Sequence, residues 1–199
     1  MTEIIGVVGS GTMGNGIAQV AARAGYNVVM HDIKDEFAER GLKAIDKNLQ
    51  RDVDKGRLSV DVKQSIIGRI KTTTELEALK EASFVIEAVT EDLAVKTELF
   101  SALDRITRPE TILASNTSSI SITRLGAATN RPGRVIGMHF MNPVPVMKLV
   151  EVIRGIATSN ETYERVRALS ETLGKIALDC NDSPGFVSNR VLLPMINEA

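Results

Sequence analysis

Ile4-Ile5-Gly6-Val7-Val8-Gly9-Ser10-Gly11-Thr12-Met13-Gly14 is the stretch on which the reading of this chain turns. Its first five residues form a short apolar run, the pattern of a strand buried in a parallel sheet. The next six match G-x-G-x-x-G. Gly9 permits a tight turn out of the strand, the bare backbone at Gly11 lets a phosphate approach, and Gly14 lets helix and strand pack closely. Thr12 to Ala24 is rich in small residues and predicts a helix, with Gly25 as its stop. Such a helix points free N–H groups and the positive end of its dipole back at the loop.

Alone, the glycine pattern is weak, and a structural glycine turn is the alternative. Its context is stronger. The motif follows a strand, opens a helix, and is followed by Asp32 at the end of a second strand, Val28-Val29-Met30. A carboxylate there accepts hydrogen bonds from the adenosine ribose hydroxyls and repels a 2′-phosphate. The predicted cofactor is therefore NAD, bound by Gly9, Ser10, Gly11, Thr12, Met13, Gly14 and Asp32. His31, beside that acid, reads as a structural strand-end residue.

Outward from this unit, the pattern repeats. Phe84 to Val89, Thr111 to Ala114, Val135 to Phe140, Leu149 to Ile153 and Ile176 to Leu178 read as strands, and Leu93 to Ile106 as a helix. Lys34 to about Ile67 is helical, apparently as two helices broken near Gly56. Thr158 and Glu161 suggest a capping box for a helix that stops at Gly174. The expected fold is α/β: a Rossmann-type, doubly wound, mostly parallel sheet with a long helical excursion after the second strand. Asp182-Ser183-Pro184-Gly185 is the best linker candidate. It divides an NAD-binding domain, residues 1–183, from residues 184–199, which read as the first helix of an all-α unit. No internal repeat or low-complexity tract is visible.

Composition narrows the function classes. The 199 residues are 43% hydrophobic and 25% charged with net charge −1, so nothing suggests nucleic acid or a membrane surface as a partner. No apolar run approaches the roughly 20 residues needed to span a bilayer. The N-terminal run carries Glu3 where a signal sequence would carry basic residues, and a cytoplasmic location is expected. One cysteine, Cys180, excludes a disulfide framework and reads as a small buried filler.

Two further patterns bear on chemistry. Lys43, Lys47, Arg51 and Lys55 recur every fourth residue, fanning over about 120° of one helix face. Ala38, Leu42, Ile45, Leu49 and Val53 fall opposite. The stripe suits a polyphosphate ligand distinct from NAD, and a solvated face is the alternative. There are two histidines. His139 ends a predicted strand, where ligands bind in open α/β sheets. Glu151 lies among apolar Leu149, Val150, Val152 and Ile153, and a carboxylate there needs a partner. A pair with His139 would orient the imidazole as an acid–base group; a structural histidine and a strand-edge glutamate are the alternative.

With these residues in view, the chain resembles the 3-hydroxyacyl-CoA dehydrogenases, most closely the bacterial 3-hydroxybutyryl-CoA type. The matching stretches are Gly9 to Gly14, Ile86-Glu87-Ala88-Val89 with Glu91 and Lys96, Ser115 to Ser119, His139 to Met147, Leu149-Val150-Glu151, and Asp182 to Phe186 with Asn189-Arg190. They cover essentially the whole chain in order. The resemblance implies oxidation of a 3-hydroxyacyl-CoA, or the reverse reduction. His139 would be the general base and Glu151 its electrostatic partner. Ser118 would bridge substrate oxygen and nicotinamide, and Asn189 would help hold the reacting carbonyl. Glu91, Lys96, Asn116 and Asn142 would line the cofactor site, and Lys55, with Asn48 nearby, would meet the CoA phosphates. Asn48 stands where family members often carry serine, and Met141 where they often carry phenylalanine.

The resemblance also implies roughly another 80 to 100 residues as a helical domain that closes over the acyl chain and builds a homodimer. The expectation is thus that this chain lacks most of that domain, binds NAD, and turns over acyl-CoA poorly. The apolar side chains of 186–199 would then seek a partner, as a new dimer or by folding back onto their own domain. Two other readings remain open: a β-hydroxyacid dehydrogenase using a catalytic lysine, and a non-catalytic NAD-binding module.

Overall fold

The computed structural model describes residues 3–199. The chain forms one eight-stranded sheet. Its strands are β1 (Ile4–Val8), β2 (Asn27–His31), β3 (Ile70–Thr73), β4 (Phe84–Glu87), β5 (Ile112–Ser115), β6 (Val135–Phe140), β7 (Leu149–Arg154) and β8 (Ile176–Asn181). The spatial order is β3-β2-β1-β4-β5-β6-β7-β8, so the order reverses between β1 and β4. Every pair is parallel except β6 with β7. The expected fold class, Rossmann-type and mostly parallel, is the one observed.

Among the described residues there are seven α-helices: α1 (Thr12–Arg23), α2 (Asp35–Asp54), α3 (Val60–Gly68), α4 (Leu93–Ile106), α5 (Ile122–Gly126), α6 (Asn160–Thr172) and α7 (Ser188–Asn197). They cover both faces of the sheet. Ile5, Val7, Met30, Ile86, Ala114, Met138 and Val152 share one core cluster with Ile17, Ile45, Leu49, Val166 and Leu169 of α1, α2 and α6. Val8, Val85, Leu113, Val135 and Ile153 share the other with Phe100, Leu103, Ile122 and Leu125 of α4 and α5. Neighbouring strand residues go to opposite clusters, as the two-residue period of a strand demands. This is why the strands read as continuous apolar runs. Truncating a fully buried leucine such as Leu49 to alanine would cost about 2–5 kcal/mol.

Four sequence expectations change. The edge strand β3 was not expected, because only Ile70 of its Ile-Lys-Thr-Thr is buried and it lacks an apolar run. The helix at 160 is capped by Ser159, whose Oγ accepts from Thr162 N, and not by Thr158. Thr158 stands one residue before the N-cap position, and its hydroxyl turns to donate to Val135 O at 2.6 Å. Of the apolar residues assigned to a future helical partner, Phe186 is instead buried in the second core cluster. Beyond it, α7 does not fold back. None of its residues is buried, and Val191, Leu192, Leu193, Met195 and Ile196 are exposed. Only its first turn is tied to the domain.

Candidate active site

The site lies at the carboxyl ends of the strands, beside the point where strand order reverses, where open α/β sheets bind ligands. The glycine loop has the geometry the motif predicts. Gly9 has φ +94°, and a Cβ there would lie 2.6 Å from Ala88 O. A Cβ on Gly14 would fall 1.7 Å from Gly9 O, so only glycine lets α1 start this close to β1. A Cβ on Gly11 would meet nothing within 4 Å, which leaves that face of the loop open. Helix α1 has no side-chain cap and no acid in its first turn. Its free N–H groups and dipole therefore suit a pyrophosphate.

Asp32 sits against the same loop. Its Oδ2 accepts from Ser10 N at 2.7 Å and Ser10 Oγ at 2.6 Å, and its Oδ1 accepts from Ile33 N at 2.8 Å. Burial raises its pKa, but these bonds outweigh that and hold the carboxyl below its ordinary range. Asp32 thus shapes the loop and, as a carboxylate, keeps further acceptor lone pairs free. His31 has the structural place expected of it, buried with Nε2 3.1 Å from Thr74 O.

On the other side of the reversal, β4 and β5 end in a polar network. Glu87 is fully buried, accepts from Val89 N at 2.7 Å and Ser115 Oγ at 2.6 Å, and pairs closely with Lys96 Nζ. Lys96, 1% exposed, also lies 3.4 Å from Glu91 Oε2. Glu91 Oε1 in turn accepts from Thr117 Oγ1, Ser118 N and Ser119 N. Burial pushes the Glu91 carboxyl up, and the bond from Thr117 and the charge of Lys96 bring it below the ordinary range. Lys96 therefore lies beneath the site surface and braces Glu91 instead of facing outward. Asn116 Oδ1 accepts from Phe140 N at 2.9 Å, and Asn142 is exposed beside the cis peptide to Pro143. Glu87 and Ser115 lie in stretches that carry the resemblance but were given no role from sequence; a glutamate inside an otherwise apolar strand was the available signal.

The two residues expected to act as an acid–base pair meet across β6 and β7. His139 and Glu151 are directly opposed in the antiparallel register. His139 Nδ1 lies 2.7 Å from Glu151 Oε2, and Nε2 lies 3.0 Å from Ser118 Oγ. Asn189 Nδ2 donates to Ser118 O at 3.3 Å. Glu151 is fully buried, and its Oε1 accepts from Val187 N at 3.0 Å and Ser188 N at 2.7 Å, with Cys180 Sγ at 3.6 Å. Burial works against its charge, but the bonds from His139, Ser188 and Val187 outweigh it, so Glu151 titrates below the ordinary carboxylate range. An ionised Glu151 takes the Nδ1–H bond, which leaves Nε2 as an acceptor aimed at Ser118. The same carboxylate and burial push the Cys180 thiol up to about 12, so it is no nucleophile.

A groove of about 580 Å³ runs between α2 and the 143–146 loop. Asn48, Arg51 and Lys55 line it from α2, Gln19 and Arg23 from α1, with Arg57 and Pro143, Pro145 and Val146. Only part of the sequence stripe is used: Arg51 and Lys55 face the groove, while Lys43 pairs with Glu39 on the exposed side. Asn48 Nδ2 lies 3.5 Å from Gln19 Oε1. Arg23 and Arg57 join the cations there, and neither belonged to a periodic pattern.

An uncapped helix start behind a glycine loop, an acid at the end of β2 and a buried carboxylate–histidine pair at one strand-end crevice are the parts expected of an NAD-dependent dehydrogenase of Rossmann type. Known proteins make that class specific. Residues 4–183 match the family described as 3-hydroxyacyl-CoA dehydrogenase, NAD binding domain. The chain is 61% identical to a probable 3-hydroxybutyryl-CoA dehydrogenase of Bacillus subtilis, over 97% of this chain and 67% of that protein. It is 43% identical to the mitochondrial hydroxyacyl-coenzyme A dehydrogenase of Homo sapiens, over 97% and 63%. The crystal structure of (S)-3-hydroxybutyryl-CoA dehydrogenase from Ralstonia eutropha superposes with a TM-score of 0.97 at 50% identity, covering the whole of this chain and 70% of the other. This chain belongs to the 3-hydroxyacyl-CoA dehydrogenase family, and its cofactor is NAD. It spans about two thirds of the length of these relatives.

Proposed function

We propose that this chain catalyses the NAD-dependent oxidation of a short-chain (S)-3-hydroxyacyl-CoA, such as 3-hydroxybutyryl-CoA, to the 3-oxoacyl-CoA, or the reverse reduction. The observation that carries this reading is the line Glu151–His139–Ser118, closed at 2.7 and 3.0 Å beside the cofactor crevice. Glu151 keeps a proton on Nδ1, so the neutral ring presents Nε2 as base to the substrate hydroxyl. NAD, when bound, supplies the hydride acceptor. Ser118 Oγ, already on Nε2, shares the same proton path with the substrate oxygen. Asn189 bonds to the Ser118 backbone and stands by to help hold the reacting carbonyl. In reduction, the charged imidazole returns the proton from Nε2.

Gly9 to Gly14 and Asp32 hold the adenosine and pyrophosphate end, and Glu91, Asn116 and Asn142 the nicotinamide end, with Lys96 bracing Glu91. Lys55 and Arg51, with Asn48 at the same wall, take the CoA phosphates in the groove over α2. Residues 1–183 form the NAD-binding domain, and 184–199 open a helical unit. Its exposed Leu192, Leu193, Met195 and Ile196 support pairing into a homodimer through this region. The protein works in the cytoplasm, without a nucleic-acid or membrane partner; among the described residues no helix is long and apolar enough to cross a membrane. Oxidation of NADH by acetoacetyl-CoA, with His139→Gln as control, tests the activity, and light scattering tests the dimer. Absence of turnover in a version extended to its relatives' length would refute the catalytic reading.

A further inference from the structure

Two residues of the chain just before α7 have left-handed backbone, Gly185 at φ +77° and Phe186 at φ +49°. For glycine this costs little, but for a bulky L-residue it is rare and unfavourable. The structure shows what opposes the cost at Phe186. Its ring is 3% exposed and packs into the core cluster that holds Ile153 and Cys180. It meets the His139 ring at a centroid distance of 5.9 Å, tilted by 58°. Phe186 N donates to Ser183 O at 2.9 Å, which closes the turn. The two N–H groups that follow, of Val187 and Ser188, both point at Glu151 Oε1.

We infer that Phe186 is a positioning residue of the acid–base pair: its buried ring holds a strained turn whose two amides clamp Glu151 against His139. The clamp explains why Glu151 can stay charged with no exposed surface. Its Oε2 is used by His139, and besides the two amides the carboxylate meets the Cys180 thiol from β8 and the Ser188 side chain. Among the described residues no Lys or Arg pairs with Glu151; two amide dipoles at the start of α7 stabilise Oε1 instead. Asp182, four residues before Phe186, is occupied by Ser121 Oγ and the N–H groups of Ile122 and Thr123.

The inference rests on the proposed role of His139 and Glu151, but its test does not need turnover. Alanine and glycine both remove the Phe186 ring, and only glycine tolerates φ near +49°. Phe186→Ala should release the turn and its amides, whereas Phe186→Gly should retain them. The side-chain carboxyl of Glu151 is followed by carbon NMR against pH in glutamate-labelled protein, with Glu151→Gln assigning the signal. Loss of the amides disfavours the charged form, so the Glu151 midpoint in Phe186→Ala should rise by about one pH unit. In Phe186→Gly it should return most of the way to the parent value. Where turnover is measured, Phe186→Ala should lower kcat about tenfold with KM little changed, and the acid limb of its pH profile should move up with the midpoint. An unmoved midpoint in Phe186→Ala, or equal midpoints in the two variants, would overturn the inference. A parent protein without acyl-CoA turnover would instead count against the catalytic reading and leave the carboxyl titration decisive for the turn.

Discussion

Replacing Glu151 by glutamine is the sharpest perturbation of the site, because the two oxygens of this carboxylate do different work. Oε2 accepts from His139 Nδ1, while Oε1 accepts from two backbone amides. A glutamine side chain has one acceptor and one donor end, so either orientation fails somewhere. With its oxygen toward His139, the NH2 group faces the Val187 and Ser188 N–H groups. Two buried donors then lose their acceptor, at about 1–3 kcal/mol each. With its oxygen toward the amides, the NH2 faces Nδ1. That orientation costs less and forces the imidazole proton onto Nε2, the atom that must accept the hydroxyl proton. Glu151→Gln should therefore lower kcat by about 10²- to 10⁴-fold, the usual worth of an acid–base group. The KM for acyl-CoA should hardly change, since Glu151 has no exposed surface to touch substrate. NADH oxidation with acetoacetyl-CoA measures both constants, on this chain and on a version extended to its relatives' length. His139→Gln should fall in the same range, and the double variant should lose less than the product of the two. A kcat equal to the parent's in Glu151→Gln, or fully multiplicative losses, would refute the paired mechanism.

Other regions give independent tests. Asp32→Ala should weaken NADH binding about 10- to 100-fold, the worth of hydrogen bonds to a charged group, and the parent should prefer NADH to NADPH; equal affinities in a fluorescence titration would remove Asp32 from cofactor choice. Lys55→Ala should raise the KM for acyl-CoA about two- to fivefold at low salt, less at high salt, and leave NADH binding unchanged; an unchanged KM at low salt would return the α2 cations to a solvated face. For Asp182, burial raises the carboxyl pKa, but bonds from Thr123, Ser121 and Ile122 bring it below the ordinary value. A lowered pKa means stability that is complete above the ordinary aspartate value of about 4 and lost as pH falls through the folded value. Asp182→Asn should therefore melt lower than the parent at neutral pH and lose less on acidification; parallel melting curves from pH 7 to pH 3 would contradict this.

How much of this was legible in the sequence depended on whether a residue's task is local. The glycine loop, Asp32 and the buried strands follow short-range rules, and the structure places them where those rules put them. The pairing of His139 with Glu151 was legible because a lone carboxylate in an apolar strand demands a partner. Strand β3 was not, because an edge strand with one buried residue leaves no apolar run. Ser159 and Thr158 offer the same hydroxyl for a helix cap, and only the structure shows that the helix starts after Ser159 while Thr158 turns to Val135. The burial of Lys96 depends on Glu87, Glu91 and a sheet that brings them together. Arg23 and Arg57 reach one groove from different elements, so no spacing linked them to Lys55. The clamp on Glu151 is made of backbone N–H groups, which no side-chain pattern records.

The single antiparallel pair explains why these parts meet. A parallel partner for β6 would need a crossover of a dozen or more residues, and the residues now facing one another would come from distant segments. Reversal lets the short segment 141–148 join β6 directly to β7 and sets His139 opposite Glu151 in register. Opposed residues in such a pair project to the same face. Here that face belongs to the cluster of Phe100, Cys180 and Phe186. The proposed acid–base pair is thus built into the sheet instead of a loop, with its carboxylate fully buried. The connecting segment does more than join the strands. Lys175 Nζ bonds to Val144 O and to Met147 O, pinning it to the domain. Asn142 is then fixed beside the strand ends, and Pro143, Pro145 and Val146 wall the groove over α2. One reversal in an otherwise parallel sheet therefore ties the geometry of the proton-transfer pair to that of the groove. A change that shifted the β6–β7 register by one residue would turn Glu151 to the opposite face and separate both from the cofactor crevice.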